Sequence, residues 1–482
     1  MPPWPDKPIH MGTLRPESPL PHLTVIIPSW NGRKLLETCL DALEKAYQKT
    51  GLPDAIIIVD NGSEDGTVEW IQAKNNPRLS CVPLEKNHGF AFACNRGVEQ
   101  ATSEWVLILN NDTIPAPHFA EKLLRAATKE NASGNHIICA PVSNYVKGQQ
   151  LIPLLEGEDE QSVELIEKRL TEAAEGIIED VLELSGLCLV LRRQSYLTLG
   201  GFDERYGLGN YEDDDLCFKA RRQGGRLLIA RDAYVHHLGN RTFMALGMDY
   251  EKNLKEKQNL FFDKWNGDEL FILEGQSLNL SPQEFLPIVE EARLPSTCTP
   301  WLRRLQAKAY EGVGLPAKAL WAWREFLALC SKNTEARSKE ALLLFQLGRT
   351  QEARLTLSHA LEECWFGPIF AASVLTQVAN LLRKEAGDEA ADYLGFALEI
   401  CPDFIPALNL RAVWAIEEGR FREAENILLP FQQREDADLW NNLGIAMYQQ
   451  GKGQEAREAF ARAAQKAGPG SPGARNLAAL GG

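Results

Sequence analysis

The sequence predicts two folds in tandem, an α/β domain built on a parallel sheet and then an all-α solenoid of repeated helical hairpins. Two patterns and one size limit carry that expectation. From Leu23 to Trp265 short β-branched runs alternate with helical patterns, the signature of a sheet covered by helices. In the last third of the chain one motif of small residues recurs. The 482 residues also exceed the roughly 250 to 300 at which a single hydrophobic core stops growing.

In chain order, residues 1–22 hold seven prolines and no apolar signal-peptide core, and read as a disordered leader. Residues 23–265 form the α/β domain, with TVIIP, AIIIVD, LSCVPL and WVLIL as strands. Active sites of such sheets lie in loops at the carboxyl ends of strands, and there the sequence places SWNG, DNGSEDG, KNHGFAFACNRG and NND. Between 155 and 181 an acidic stretch carries Val163, Ile166, Leu170, Ala173 and Ile177 at helical spacing, which predicts a solvated amphipathic helix; a lid touching an acceptor is the alternative. Residues 266–300 read as a polar, proline-containing linker, and 301–482 as the repeat domain.

The repeat is aligned on Ala319, Ala353, Ala391, Ala424 and Ala456, which are 34, 38, 33 and 32 residues apart by subtraction. Gly314, Gly348, Gly419 and Gly451 precede four of these alanines by five positions, while Gly387 sits one position late. From Trp440 the pattern W-x2-L-G, then Tyr448, Gly451, Ala456, Phe460 and Ala463, resembles the tetratricopeptide repeat. Small residues are required where two antiparallel helices touch, and stacked units form a concave face suited to an extended partner.

Composition narrows the function classes. The apolar fraction of 44% and charged fraction of 24% belong to globular chains, and a net charge of -15 argues against generic nucleic-acid binding. The ten cysteines form no CxxC pair, which excludes a zinc-ribbon spacing and predicts reduced, mostly buried thiols. The longest apolar runs, AIIIV and WVLIL, fall far short of the roughly 20 residues that span a bilayer, so no transmembrane segment and a cytoplasmic location are expected.

Taken together and in order, VIIPSWNG, IIIVDNGSEDGT, NHGFAFACNRG, LILNNDT, SGLCLVLRR, GGFDERYGLGNYEDDDLCFKARRQGG and VHHLGNRT resemble a family 2 glycosyltransferase of the rhamnosyltransferase-like branch. The resemblance implies an α/β GT-A fold, a Rossmann-like nucleotide-diphospho-sugar transferase domain. It also implies a UDP- or dTDP-sugar donor, a divalent metal (Mn2+ or Mg2+) and inversion at the anomeric carbon. Asp60 would accept the N3–H of a pyrimidine base; the alternative is an aspartate that starts a turn. Pro28 and Asn31 would line the same pocket, and Asn87, Gly89 and Asn95 would border the nucleotide on its other side.

Asn110, Asn111 and Asp112 stand at the family's DxD motif, with Asn111 beside the donor and Asp112 as metal ligand. Asn110 replaces the first acidic position, which implies a weaker hold on the metal. His237 aligns with the metal-binding histidine, and His236 should point elsewhere because side chains alternate in strands. Within Glu212, Asp213, Asp214 and Asp215, Asp213 holds the place of the catalytic base and Asp215 that of a helix-start residue; helix capping is the structural alternative for all four. Gly186 would lie beneath the bound sugar, and Arg241 would pair with the diphosphate. The repeats would hold a protein or glycan acceptor or a partner, with a lipid-linked oligosaccharide as the alternative acceptor. A sugar nucleotidyltransferase fits poorly, since PSWNG stands where a glycine-rich basic loop is needed. A catalytically weak scaffold is opposed by the presence of Asp60, Asp112, Asp213 and His237.

Overall fold

A computed structural model describes residues 20–130, 136–239, 250–363 and 367–480. The expected leader, apart from its last three residues, and Arg241 lie outside them. The chain forms two compact units, Met1–Arg337 with Ser358–Trp365, and Ser338–Leu357 with Phe366–Gly482.

The first unit is built on strands β1 (Leu23–Ser29), β2 (Ala55–Asp60), β3 (Leu79–Pro83), β4 (Trp105–Leu109), β5 (Thr113–Pro115), β6 (Ile137–Val142), β7 (Ile178–Val181), β8 (Cys188–Arg192) and β9 (Arg226–His237). The sheet order is β3-β2-β1-β4-β8-β6-β9-β5, with β7 on β9. The first four neighbours run parallel. Strands β6 and β9 are also parallel, but β8 runs antiparallel to both β4 and β6 and β9 pairs antiparallel with β5 and β7, which corrects the expectation of a parallel sheet. Apolar runs reveal that strands exist without revealing their direction.

Strand β1 is buried along its whole length, as a central strand covered on both faces must be. Its side chains alternate: Leu23, Val25 and Ile27 join one apolar cluster, Ile26 the other. Helix α1 (Arg33–Thr50) covers the first face and stops at Gly51, whose left-handed backbone turns its N–H to the Tyr47 carbonyl. Helices α2 (Thr67–Ala73) and α3 (Phe90–Gln100) follow in the parallel half, and α4 (Phe119–Glu130) packs on β6 and β9.

The acidic stretch folds as helix α5 (Val163–Ala174), burying Val163, Ile166, Leu170 and Ala174. Ala173 is exposed, and Ile177 lies beyond the helix at the entry to β7, a strand the helical spacing did not foresee. Glu167 also faces inward, where it accepts the His118 N–H at 3.0 Å. Helices α6 (Arg193–Thr198) and α7 (Glu212–Arg222) complete the part that carries the loops of interest.

The expected linker is corrected. Residues 269–279 and 282–291 are helices, capped by Asp268 and by a reciprocal Ser281–Glu284 capping box with Pro282 in the first turn. Helices 299–312 and 316–327, expected to open the repeat domain, belong to the first unit. Trp301 Nε1 donates to the Arg221 carbonyl at 2.9 Å, and Asn333 Nδ2 to the Asp180 carbonyl at 2.9 Å. Asp180 in turn holds Arg226 through two bonds of 2.7 Å.

The second unit is helical throughout its described residues, and consecutive helices such as 437–449 and 453–467 pack in pairs. Gly314, Gly348, Gly419 and Gly451 all have left-handed φ between 69° and 80°, closing the turns before the aligned alanines. Ala319, Ala353, Ala424 and Ala456 are fully buried. The third position is corrected: Ala391 is exposed, and Ala390 is the buried residue whose N–H bonds four residues back to Ala386. Gly444 lies against Phe460, whose ring would be 2.7 Å from any added Cβ. Among the described residues no helix is long and apolar enough to cross a membrane, and no cysteine is paired.

Candidate active site

The carboxyl ends of β1 to β4 bring four loops together, and neutral side chains tie them. Asn31 N–H donates to Ser63 Oγ at 2.9 Å, and Asn31 Oδ1 accepts the Glu64 N–H at 2.8 Å. Buried Asn61 donates to Asn87 Oδ1 at 2.9 Å and to the Gly89 carbonyl at 3.1 Å, and accepts the His88 N–H at 2.9 Å. Asn111 Nδ2 donates to Ser29 Oγ at 3.0 Å. Pro28 lies buried in β1 beside Val59. Asn61 and Ser29 are structural keystones that the motif reading passed over, because an amide in a turn-rich segment does not announce its partner.

Asp60 is 1% exposed at the end of β2. Its Oδ2 accepts the Ser63 N–H at 3.0 Å, which is the turn role, while Oδ1 is buried and has no hydrogen-bond partner. A buried carboxylate oxygen left in this state calls for a donor from a ligand. Asp60 thus fills the turn role with one oxygen and keeps the other without a protein donor.

Two nucleotide-bordering assignments change. Asn95 Nδ2 donates to the Phe202 carbonyl and to Glu204, and its Oδ1 accepts from Tyr196 Oη and the Phe202 N–H, so the side chain is committed to protein. At Gly89 a Cβ would lie 2.1 Å from the Gly207 carbonyl oxygen, so glycine admits a neighbouring loop there rather than a ligand.

Asp112 and His237 are brought together. Strand β5 pairs with β9 so that Thr113 stands opposite His237, and Asp112 Oδ1 lies 3.3 Å from His237 Nε2. His237 Nδ1 meets the Tyr145 carbonyl at 2.8 Å, so that nitrogen carries the proton and the Nε2 lone pair faces Asp112. Burial lowers the His237 pKa, but the bond and charge of Asp112 and the Tyr145 carbonyl outweigh it, and the net shift is upward. A lone pair facing a carboxylate oxygen needs a positive charge between them, a proton or a metal ion. With its second nitrogen held by a carbonyl, the imidazole is oriented as metal-ligating histidines are. Among the described residues no group of three or more His, Cys, Asp or Glu could hold a metal, so these two would share an ion with ligand oxygens. The pair fits a divalent cation. His236 turns away, its Nδ1 2.9 Å from Tyr234 Oη.

The acidic run opens α7, and its members differ. Asp213 Oδ2 accepts the Gly186 N–H at 2.8 Å and Oδ1 the Asp214 N–H at 2.9 Å. A Cβ on Gly186 would lie 3.1 Å from that of Asp213, so Gly186 makes room for this carboxylate. Asp214 pairs with Lys147 at 2.7 Å. Glu212 is buried with one oxygen unpartnered; burial first, then the charges of Asp213 and Asp214, push its pKa up to about 8. Asp215 is fully buried, taking Lys264 at 2.6 Å, Lys219 at 2.8 Å and Trp265 Nε1 at 3.0 Å. Its expected role at the helix start is thus replaced by an ion-pair hub joining α7 to helix 250–265.

Residues 24–171 match the family model for glycosyl transferase family 2. The N-acetylglucosaminyl-diphospho-decaprenol L-rhamnosyltransferase of Mycobacterium tuberculosis is 28% identical over 242 residues, 46% of this chain and 77% of that protein. The poly-beta-1,6-N-acetyl-D-glucosamine synthase of Staphylococcus aureus is 34% identical over 102 residues, 20% of this chain and 24% of the synthase. A mannosyltransferase from Pyrobaculum calidifontis, solved with GDP-Man and Mn2+, is 18% identical with a TM-score of 0.36 over 76% of this chain and 89% of that one, too loose a likeness to bear on the site. The family 2 match lies within the first unit, and the helical second unit stands outside it.

Proposed function

We propose that the protein is a metal-dependent, inverting glycosyltransferase that moves a sugar from a UDP- or dTDP-sugar to an acceptor hydroxyl. The observation that carries this reading is the pairing of Asp112 with His237, together with the buried Asp60 oxygen that lacks a donor. Asp60 would hold the N3–H of the base, with Pro28, Asn31 and Asn87 around the nucleoside and Asn111 beside the diphosphate. Asp112 and His237 would hold the divalent ion, Mn2+ or Mg2+, which supplies positive charge to the leaving diphosphate. Gly186 fixes Asp213 through its N–H, and Asp213 takes the proton from the acceptor hydroxyl. The acceptor oxygen then bonds to the anomeric carbon as the carbon–oxygen bond to the diphosphate breaks, and the configuration inverts. Arg241 would add a donor fork to the diphosphate.

The second unit is read as a tetratricopeptide array that holds a protein acceptor or a partner. A lipid-linked acceptor is the second reading, favoured by the name of the mycobacterial relative. Release of nucleoside diphosphate from a panel of UDP- and dTDP-sugars, with and without Mn2+, tests the proposal. Metal-dependent release from one donor, lost in Asp213→Ala, is expected; release indifferent to metal and to that substitution would overturn it.

A further inference from the structure

Asp213 and Asp214 sit in a run of four carboxylates, and the cation set against them comes from a different part of the fold. Lys147 Nζ lies 2.7 Å from both oxygens of Asp214 and 5.9 Å from the centre of the Tyr211 ring. The charges of Asp213 and Glu183 also act on it. Three residues before Lys147, Asn144 accepts the His237 N–H at 2.8 Å and donates to the His237 carbonyl at 3.1 Å. Between them, the Tyr145 carbonyl meets His237 Nδ1 and the Tyr145 ring stands 5.6 Å from the imidazole. The segment 144–147 is therefore gripped at one end by the ion-site histidine and at the other by the helix that bears the base.

We propose that Lys147 is a positioning residue, whose ammonium on Asp214 holds the start of helix α7, and with it Asp213, in register while its segment ties that helix to His237. This rests on the glycosyltransferase reading and adds to it the residue that positions the base. A stabilising role alone is a poor explanation, since the Lys147 side chain is 49% exposed and ion pairs of that kind contribute little to stability. The groups facing Asp213 and Asp214 are Glu212, Glu183 and Cys217 besides Lys147, while Lys219 and Lys264 are engaged with Asp215. Burial and Asp213 push the Asp214 pKa up, and Lys147 opposes them. Removing the ammonium leaves Asp214 facing like charges without their counterweight, so it takes up its proton at a higher pH and the helix start that carries Asp213 loses its charge balance there.

The test compares the intact chain with Lys147→Met and Lys147→Arg. In Lys147→Met the acid limb of the transfer rate should move up by about one pH unit, with the high-pH plateau and the donor KM held within about twofold; Lys147→Arg should restore the limb. An unmoved limb, or a loss equal at every pH, would overturn the proposal. A carboxyl-carbon NMR titration of aspartate-labelled protein reads the same effect without turnover. If the wild type transfers no sugar, the enzymatic reading fails by itself, and an Asp214 titration unchanged by Lys147→Met would separately sink the inference.

Discussion

The loops at the ends of β1 to β4 and the start of α7 belong to the same domain yet are built on opposite principles. The loops are stitched mainly by neutral amides and hydroxyls, with Asp65 the carboxylate among them, and Asp60 Oδ1 and Asn110 Oδ1 are left over. The helix start concentrates four carboxylates, of which Glu212 and Asp214 are both pushed toward protonation. Neutral bonds cost little to assemble and hold a shape; crowded like charges cost stability and create a group ready to take a proton. Rigidity is thus placed where a nucleotide would be gripped, and electrostatic tension where a proton would move.

Breaking the tense side should cost activity most. Asp213→Asn keeps an oxygen for the Gly186 N–H but removes the base, so transfer should fall about 100-fold or more with Tm nearly unchanged, as steady-state rates and thermal melts would record. On the stitched side, Asn61→Ala strands the partners of three hydrogen bonds and should lower unfolding stability by about 2 to 3 kcal/mol in a denaturant titration, with weaker nucleotide binding. Asn333→Ala, which frees the Asp180 carbonyl where helices after residue 299 meet the sheet, should cost about 1 to 2 kcal/mol by the same titration.

The last effect grows with pH. The folded-state pKa of Glu212 lies above its ordinary value near 4.5, so the folded chain holds an extra proton from there up to about 8, and stability falls as pH rises through that window. Glu212→Gln removes the titration and should raise Tm at pH 8 while leaving it little changed at pH 4.5. Equal shifts at both pH values would show that Glu212 is not held protonated.

Much of this was legible because buried strands write themselves as apolar runs and the loop motifs fall at their ends. Asp112 and His237 stand in two motifs that the β5–β9 register brings into contact. Strand direction was not legible, since the same residues serve either orientation. Asn95 was misplaced because the three residues it bonds, Tyr196, Phe202 and Glu204, lie more than a hundred positions away in sequence. Lys147 and Tyr145 gave no signal, as their roles arise where a loop crosses two other elements. The capping box at Ser281 and Glu284 was readable and should have denied 266–300 the reading of a linker. Ala390 was missed by one place because the turn before it lacks the left-handed glycine that set the alignment elsewhere.

The central claim, that these loops hold a metal-bridged nucleoside diphosphate, is tested most directly by calorimetric titration of UDP and dTDP with and without Mn2+, on the intact chain, His237→Ala and Asp60→Ala. The account predicts that one nucleotide binds and gains affinity with Mn2+, that His237→Ala abolishes the gain, and that Asp60→Ala weakens binding with or without the ion. Binding that ignores Mn2+, or that survives both substitutions unchanged, would contradict it.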